Sequence, residues 1–345
     1  MKNEAFYMTD LCKMEKRSIP MPEPGDDEVL VKIEYVGICG SDSHYLEFGR
    51  VGGFVVDGDF ILGHECAGTV IQTGKHVQKL QEGDRVALEP GVTCGKCFYC
   101  KTGKYNLCPD VEFLATPPYH GCLMNYMTFP ADMCFKLPEN VSTREGALVE
   151  PLAVGMHAAN QGEIGVGETV VILGAGCIGL VTLLAARAHG AGRVIVVDLL
   201  EKRLEKASQM GADMVIHSGK EDVRKIVGEL NGGEGADVVI ETAGSEATIG
   251  LTPYLVRRGG RIVLVGLAVK EIIPYDFSQI MAKEASVASV FRYRNIYPGA
   301  IEAIASGKIE VKQIVSHEFP FEKTQEAFAF VRENKADVIK AMIRV

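Results

Sequence analysis

The sequence predicts an α/β protein of two domains, a β-rich one holding both ends of the chain and a doubly wound parallel-sheet one between them. Three observations lead there. A chain of 345 residues with 47% apolar content is longer than one hydrophobic core accommodates and can fill two. The N-terminal part reads as short segments broken by Gly and Pro, with alternation in Glu28 to Tyr35 (EVLVKIEY) and breaks at Val51 to Gly58 and Thr116 to Gly121. From Glu168 the rhythm changes to continuous apolar runs, TVVILG, RVIVVD, DVVIET and RIVLVG, separated by helix-like stretches such as Ile178 to His189 and Glu201 to Met210. Runs of that kind suit a parallel sheet buried on both faces.

After Phe291 this rhythm stops, and the tail (IEVKQIVSHEF, then TQEAFAFVRE) can return a strand and a helix to the first domain. The expected division is therefore residues 1–155 with 291–345, and 156–290. No internal repeat or low-complexity segment interrupts it.

Composition narrows the function classes. A formal net charge of -9 and the lack of any Lys/Arg run exclude a polyanion-binding surface, so no nucleic acid is expected. No apolar stretch reaches the roughly 18 residues needed to cross a bilayer, and MKNEAFYMTD lacks a signal peptide's apolar region. The expected setting is cytoplasmic, with no membrane partner. Ten cysteines in such a compartment read as thiols or metal ligands rather than disulfides.

Gly174, Gly176 and Gly179 form G-x-G-x-x-G directly after the run Thr169 to Leu173 and at the start of a helix, with Ile178 in its first turn. Glycines there allow the tight turn, close approach of a pyrophosphate, and helix packing on the strand. The helix N-terminus then offers N–H groups and positive dipole. The motif alone is common in plain turns; its context makes it specific. Asp198 ends the next run, 19 residues beyond Gly179, where a carboxylate can accept from both ribose hydroxyls and repel a 2'-phosphate. That favours NAD. Arg203 leaves NADP open, although an arginine in a first helical turn is more often solvated.

Cys94, Cys97, Cys100 and Cys108 place four thiols inside fifteen residues (CGKCFYCKTGKYNLC). Two disulfides compete with a closed tetrahedral zinc site, and the expected compartment favours the metal. With four sulfurs bound, no position is left for substrate, so this metal would be structural.

A second set is dispersed: Cys39 in GICGSDSHY, His64 and Glu65 in GHECAG, and Glu150 in LVEPLAVG. Thiolate, imidazole and carboxylate with one open position are what a catalytic zinc requires. By spacing alone each admits a plainer reading, as a packed thiol, a hydrogen-bonded imidazole or a loop carboxylate before proline.

The stretch Gly63 to Val77 (GHECAGTVIQTGKHV), with Gly68 and Gly74, resembles the zinc signature of medium-chain alcohol dehydrogenases, and the cysteine lobe and glycine loop follow in that family's order. GICGSDSHY, the NLCPD to ATPP region, VEPLAVG and VFRYRN resemble its sorbitol and xylitol dehydrogenase branch. The resemblance covers essentially the whole chain. It implies a GroES-like β-rich catalytic domain and a Rossmann domain, two zinc ions per chain, NAD, and a homotetramer. It makes Cys39, His64 and the Glu150 region groups of a catalytic zinc site, with Glu65 a direct or water-bridged ligand and Asp42 orienting His64. Which carboxylate binds directly stays open.

The implied reaction is oxidation of a polyol's secondary alcohol to a ketose, the hydride passing to the nicotinamide ring. Ser41 would pass the hydroxyl proton outward and His44 would receive it. Tyr45, Arg292 and Tyr293 would meet substrate hydroxyls and Phe113 would line the pocket, against the plainer readings of an interface arginine and a core phenylalanine. The other histidines, His157 among them, receive no role. The resemblance puts proline inside the glycine loop, where this chain has Cys177. A butanediol or threonine dehydrogenase is the nearest alternative, and a catalytically silent nucleotide-binding protein the alternative from another class.

Overall fold

The computed structural model describes residues 2–268, 270 and 272–345. It forms two compact units. The first comprises residues 1–150, 297–307 and 315–345, the second 151–296 and 308–314. The expected N-terminal junction, 155/156, lies a few residues from this division because both fall inside one helix, Val149–Gln161. Gly155 of that helix lies against the Val181 and Thr182 backbone, where a Cβ would come within 2.7 Å, so this part of the helix packs in the second unit. Residues 291–296 also stay with the second unit, since the Val290 N–H donates to the Leu264 carbonyl (2.9 Å) and holds the chain at the sheet's end.

The first unit is built on a seven-stranded sheet. Its path runs Cys134–Lys136, Arg85–Leu88, Glu65–Thr73, Glu28–Ile38, Lys340–Arg344, Val315–Pro320, with Tyr126–Pro130 also pairing Glu28–Ile38. The run read as EVLVKIEY thus becomes the central strand, extended to Ile38, and it pairs antiparallel with three others. A separate three-stranded sheet joins Lys13–Ile19, Asn3–Asp10 and Phe60–Ile61. The C-terminal tail contributes the strands Val315–Pro320 and Lys340–Arg344 and the helix Thr324–Glu333. Phe6, Ile33, Leu62, Phe321 and Ile343 are among the residues of the buried core these elements share.

The second unit is a six-stranded, all-parallel sheet in the order Met214–His217, Arg193–Asp198, Thr169–Leu173, Ala236–Glu241, Val256–Leu264, Ser286–Ser289. Counted along the chain this is 3-2-1-4-5-6, the Rossmann order, whose direction reverses between the first and fourth strands. Strands 1 and 2 are apolar and buried, as inner strands of a parallel sheet are. The helix Cys177–His189 ends where Gly190 takes a left-handed φ of 103°, a conformation glycine adopts without Cβ strain.

Candidate functional site

In the first unit, Cys39 follows the central strand and caps the helix Gly40–Phe48. Its N–H donates to Asp42 Oδ2 (3.0 Å), while Asp42 Oδ1 accepts from the Gly63 N–H (3.0 Å) and faces His64 Nδ1 at 3.4 Å. One fully buried carboxylate therefore fixes the two segments that carry Cys39 and His64. Burial pushes the Asp42 carboxyl up, but His64 and the two N–H groups outweigh it and hold it below the usual range. Burial likewise works against a charged His64, and the Asp42 and Cys39 charges overcome it, raising its pKa. With Nδ1 turned to Asp42, the other ring nitrogen is the one left to meet a metal.

Glu65 opens the strand paired beside the central one, opposite Gly37. A Cβ on Gly37 would lie 2.0 Å from Glu65 Oε2, so glycine is what lets the carboxylate sit there. Both Glu65 oxygens accept from Lys340 Nζ at 2.7 Å, and Lys340 also donates to the Ile38 carbonyl at 3.0 Å. The pair is buried, with side-chain exposures of 3% and 1%. Nothing in a motif announces Lys340, which lies 275 residues from Glu65. The one signal was a lysine inside the otherwise apolar run VIKAMI.

The ligand atoms of Cys39, His64 and Glu65 lie within 4.8 Å of one another. Glu150, in the first turn of Val149–Gln161 and buried, stands outside that group. Ser41, His44 and Tyr45 follow Cys39 on the helix Gly40–Phe48, His44 exposed with its ring against Phe48 and Tyr45 buried. Phe113 is buried with its ring centroid 5.8 Å from that of His64.

Cys94, Cys97, Cys100 and Cys108 form the second cluster, also within 4.8 Å. Their sulfur separations are 3.4 Å (Cys97–Cys100), 3.5 Å (Cys94–Cys108) and 4.0 Å (Cys94–Cys100). A tetrahedron with metal–sulfur bonds of about 2.3 Å has edges of about 3.8 Å, and these three separations lie close to that edge. All four are free thiols. The Lys96 and Cys97 N–H groups lower the Cys94 thiol to about 7, whereas burial pushes Cys108 up to about 11.

In the second unit, Gly174 has φ 105°, open to glycine alone among common residues, and a Cβ on Gly179 would meet the Gly174 carbonyl at 1.9 Å. The first and third glycines are thus set by turn and packing, and Gly176 caps the helix. Asp198 Oδ2 accepts from the Ala175 N–H (2.7 Å) and Oδ1 from the Leu200 N–H (2.9 Å), joining the second strand's end to the glycine loop. Arg203 is not turned to solvent: a Cβ on Gly176 would lie 3.8 Å from its Nη1, and its Nε is buried. Ile178 follows in the helix's first turn. Arg292 and Tyr293 belong to this unit; Arg292 takes a left-handed φ of 57° with its guanidinium over Phe291, and Tyr293 is buried.

Residues 25–139 match the alcohol dehydrogenase GroES-like domain and residues 177–306 the zinc-binding dehydrogenase domain. The chain is 43% identical to a sorbitol dehydrogenase of Bacillus subtilis, covering 99% of this chain and 97% of the relative. It is 47% identical to the human sorbitol dehydrogenase over 90% of this chain and 87% of that one. Its fold is similar to that of a solved Escherichia coli oxidoreductase of unknown specificity involved in membrane biogenesis, with TM-score 0.96, 48% identity, and coverage of 100% and 99%.

Proposed function

This chain belongs to the zinc-containing medium-chain alcohol dehydrogenase family, in its sorbitol dehydrogenase branch, and we propose that it oxidises a secondary alcohol of a polyol to a ketose with NAD as hydride acceptor. The observation that carries this reading is the convergence of Cys39, His64 and Glu65, a mixed thiolate, imidazole and carboxylate set, with Asp42 tying the segments of the first two together. Such a set leaves one coordination position open, as a catalytic zinc requires. Zinc there supplies a Lewis acid that eases loss of the hydroxyl proton, and NAD supplies the acceptor for the hydride.

The residues then divide the work. Cys39, His64 and Glu65 would hold the metal, with Asp42 fixing His64 in one tautomer, and Glu150 would act beside them. Ser41 relays the proton and His44, exposed on the same helix face, delivers it outward. Tyr45, Arg292 and Tyr293 supply donors and acceptors for a hydroxyl-rich substrate, and Phe113 an apolar wall beside His64. Cys94, Cys97, Cys100 and Cys108 hold a second, structural zinc.

The loop of Gly174, Gly176, Ile178 and Gly179 receives the pyrophosphate, with Arg203 as its cation. Asp198 meets the ribose hydroxyls with the remaining lone pairs of its carboxylate and disfavours a 2'-phosphate. The two sorbitol dehydrogenase relatives support the polyol.

The active form is a homotetramer. Supporting this, the sheet's edge strand Ser286–Ser289 exposes Val287, and nearby in sequence Phe277, Met281 and Phe291 are exposed. The ten free thiols suit the reducing cytoplasm, and no helix among the described residues is long and apolar enough to cross a membrane. A screen of NAD reduction over sorbitol, xylitol, butanediol and threonine, with and without a chelator, tests the reading. Chelator-sensitive turnover of a polyol is expected; preference for butanediol or threonine overturns the substrate, and no turnover of any alcohol overturns the enzyme.

A further inference from the structure

The strand order of the Rossmann sheet reverses between Thr169–Leu173 and Ala236–Glu241, and the last residue of the latter is fully buried there. Glu241 Oε1 accepts from three donors, the Ala243 and Gly244 N–H groups (both 2.9 Å) and Thr248 Oγ1 (2.7 Å). The Glu241 carbonyl accepts from Val265 and Gly266 N–H at 2.8 and 3.1 Å. Thr242 reaches the other way. Its N–H donates to the Leu173 carbonyl at 2.8 Å, and its hydroxyl is shared between the Leu173 and Gly174 carbonyls at 2.9 and 3.2 Å.

Three glycines close onto these two residues, and a fourth closes onto Leu267. A Cβ on Gly174 or Gly179 would lie 2.8 or 3.0 Å from Thr242 Oγ1. One on Gly266 would lie 2.2 Å from the Gly244 nitrogen and 2.7 Å from Glu241 Oε2, and one on Gly244 would lie 2.6 Å from the Leu267 carbonyl. The ends of strands 1, 4 and 5 are therefore fastened at one point, at the crevice where doubly wound sheets bind their ligands.

We propose that Glu241 and Thr242 are positioning residues for the dinucleotide, locking the glycine loop at Gly174 to the 243–248 turn and to residues 265–267 as one rigid rim. The inference rests on the dinucleotide reading above. A loop already held in its binding shape does not lose ordering entropy when the ligand arrives, so releasing the tie lowers affinity by the fraction of time the loop spends elsewhere.

The test compares Thr242→Val, which keeps shape and loses the hydroxyl, with Thr242→Ser, which keeps the hydroxyl, in the full chain. NADH and NADPH binding is first measured on the unmodified protein by nicotinamide fluorescence, and the variants are read with whichever binds. One lost net hydrogen bond corresponds to about fivefold. Thr242→Val is expected to weaken binding about fivefold and raise KM for the dinucleotide without a matching rise in KM for the alcohol. Amide exchange over 173–180 and 243–249 should speed up in the cofactor-free protein, and Thr242→Ser should restore most of both. Glu241→Ala should lose more than tenfold, with exchange fastest at 243–248. If Glu241→Ala does not fold, the Val/Ser pair decides.

Equal affinity and equal exchange in Thr242→Val and the unmodified protein, or an equal loss in Val and Ser, overturns the positioning role and leaves the dinucleotide reading standing. Absence of binding of both dinucleotides to the unmodified protein overturns both.

Discussion

Replacing Lys340 with Met isolates the electrostatics of the candidate metal centre. The substitution keeps an unbranched side chain of similar length and removes the cation that holds both Glu65 oxygens at 2.7 Å in a site almost closed to solvent. Breaking a buried pair by removing one partner costs about 3–5 kcal/mol, because the remaining charge stays desolvated. At roughly 2–4 °C per kcal/mol for a domain of this size, the metal-free protein should melt about 6–20 °C lower. A zinc ion beside Glu65 supplies a replacement cation, so the metal-loaded protein should lose less than half as much. Linkage then requires the variant to hold zinc more tightly; a difference of about 2 kcal/mol corresponds to roughly thirtyfold. Calorimetry with chelator and with added zinc, together with competition against a chromophoric chelator, measures both. An equal fall in Tm in the two states, or weaker zinc retention in the variant, would refute the argument that Lys340 and the metal share the charge of Glu65.

Three further outcomes follow from other residues. Asp198→Ala should narrow the preference for NAD over NADP, measured as the ratio of specificity constants; an unchanged ratio removes Asp198 from cofactor choice. Cys108→Ser should lower the metal content from about two zinc ions per chain to about one while Cys39, His64 and Glu65 keep theirs, and metal analysis showing two zinc ions in the variant would detach Cys108 from a metal role. His157 is buried and held neutral, with burial first and Arg294 second lowering its pKa to about 4. The unfolded chain binds the proton more readily, so this contribution is present above pH 6.5 and is lost as pH falls towards 4, up to about 3 kcal/mol in all. His157→Gln should therefore unfold at lower pH than the unmodified protein in an acid titration followed by circular dichroism, provided both are compared relative to their stability at neutral pH; identical midpoints would exclude His157 as an acid trigger.

What the sequence disclosed depended on how local each feature is. Cys94, Cys97, Cys100 and Cys108 lie within fifteen residues, so their spacing alone pointed to a closed site, and the separations of 3.4–4.0 Å now agree with a tetrahedron. The four long apolar runs announced the inner strands of the parallel sheet. The strands Met214–His217 and Ser286–Ser289 did not announce themselves, since an edge strand is half exposed and loses the continuous apolar signature. Lys340 and Thr242 were illegible for another reason. Each acts through a contact made only by the folded sheet, Lys340 by the return of the C-terminal strand beside Ile38 and Thr242 by the pairing of strands 1 and 4. Arg203 shows the converse, where a general expectation of solvation gave way to a specific place beside Gly176.

The charges around Cys39 also constrain the order of events in the proposed reaction. A Cys39 thiolate and the Glu65 and Asp42 carboxylates carry three negative charges, and Lys340 returns one positive charge. Over these four groups a divalent cation would bring the sum to zero with His64 neutral, its remaining proton facing Asp42. A neutral alcohol would enter without disturbing that balance. Loss of its hydroxyl proton would add one negative charge to that sum, and departure of a hydride with its electron pair to the dinucleotide would remove it again, leaving a neutral ketone. Without Lys340 that sum would be one charge more negative before the proton left, and the alkoxide's charge would form less readily. Lys340→Met should accordingly shift the rising limb of the kcat/KM profile for alcohol oxidation to higher pH, on the order of one unit. A profile superimposable on that of the unmodified enzyme would confine Lys340 to stability and metal retention.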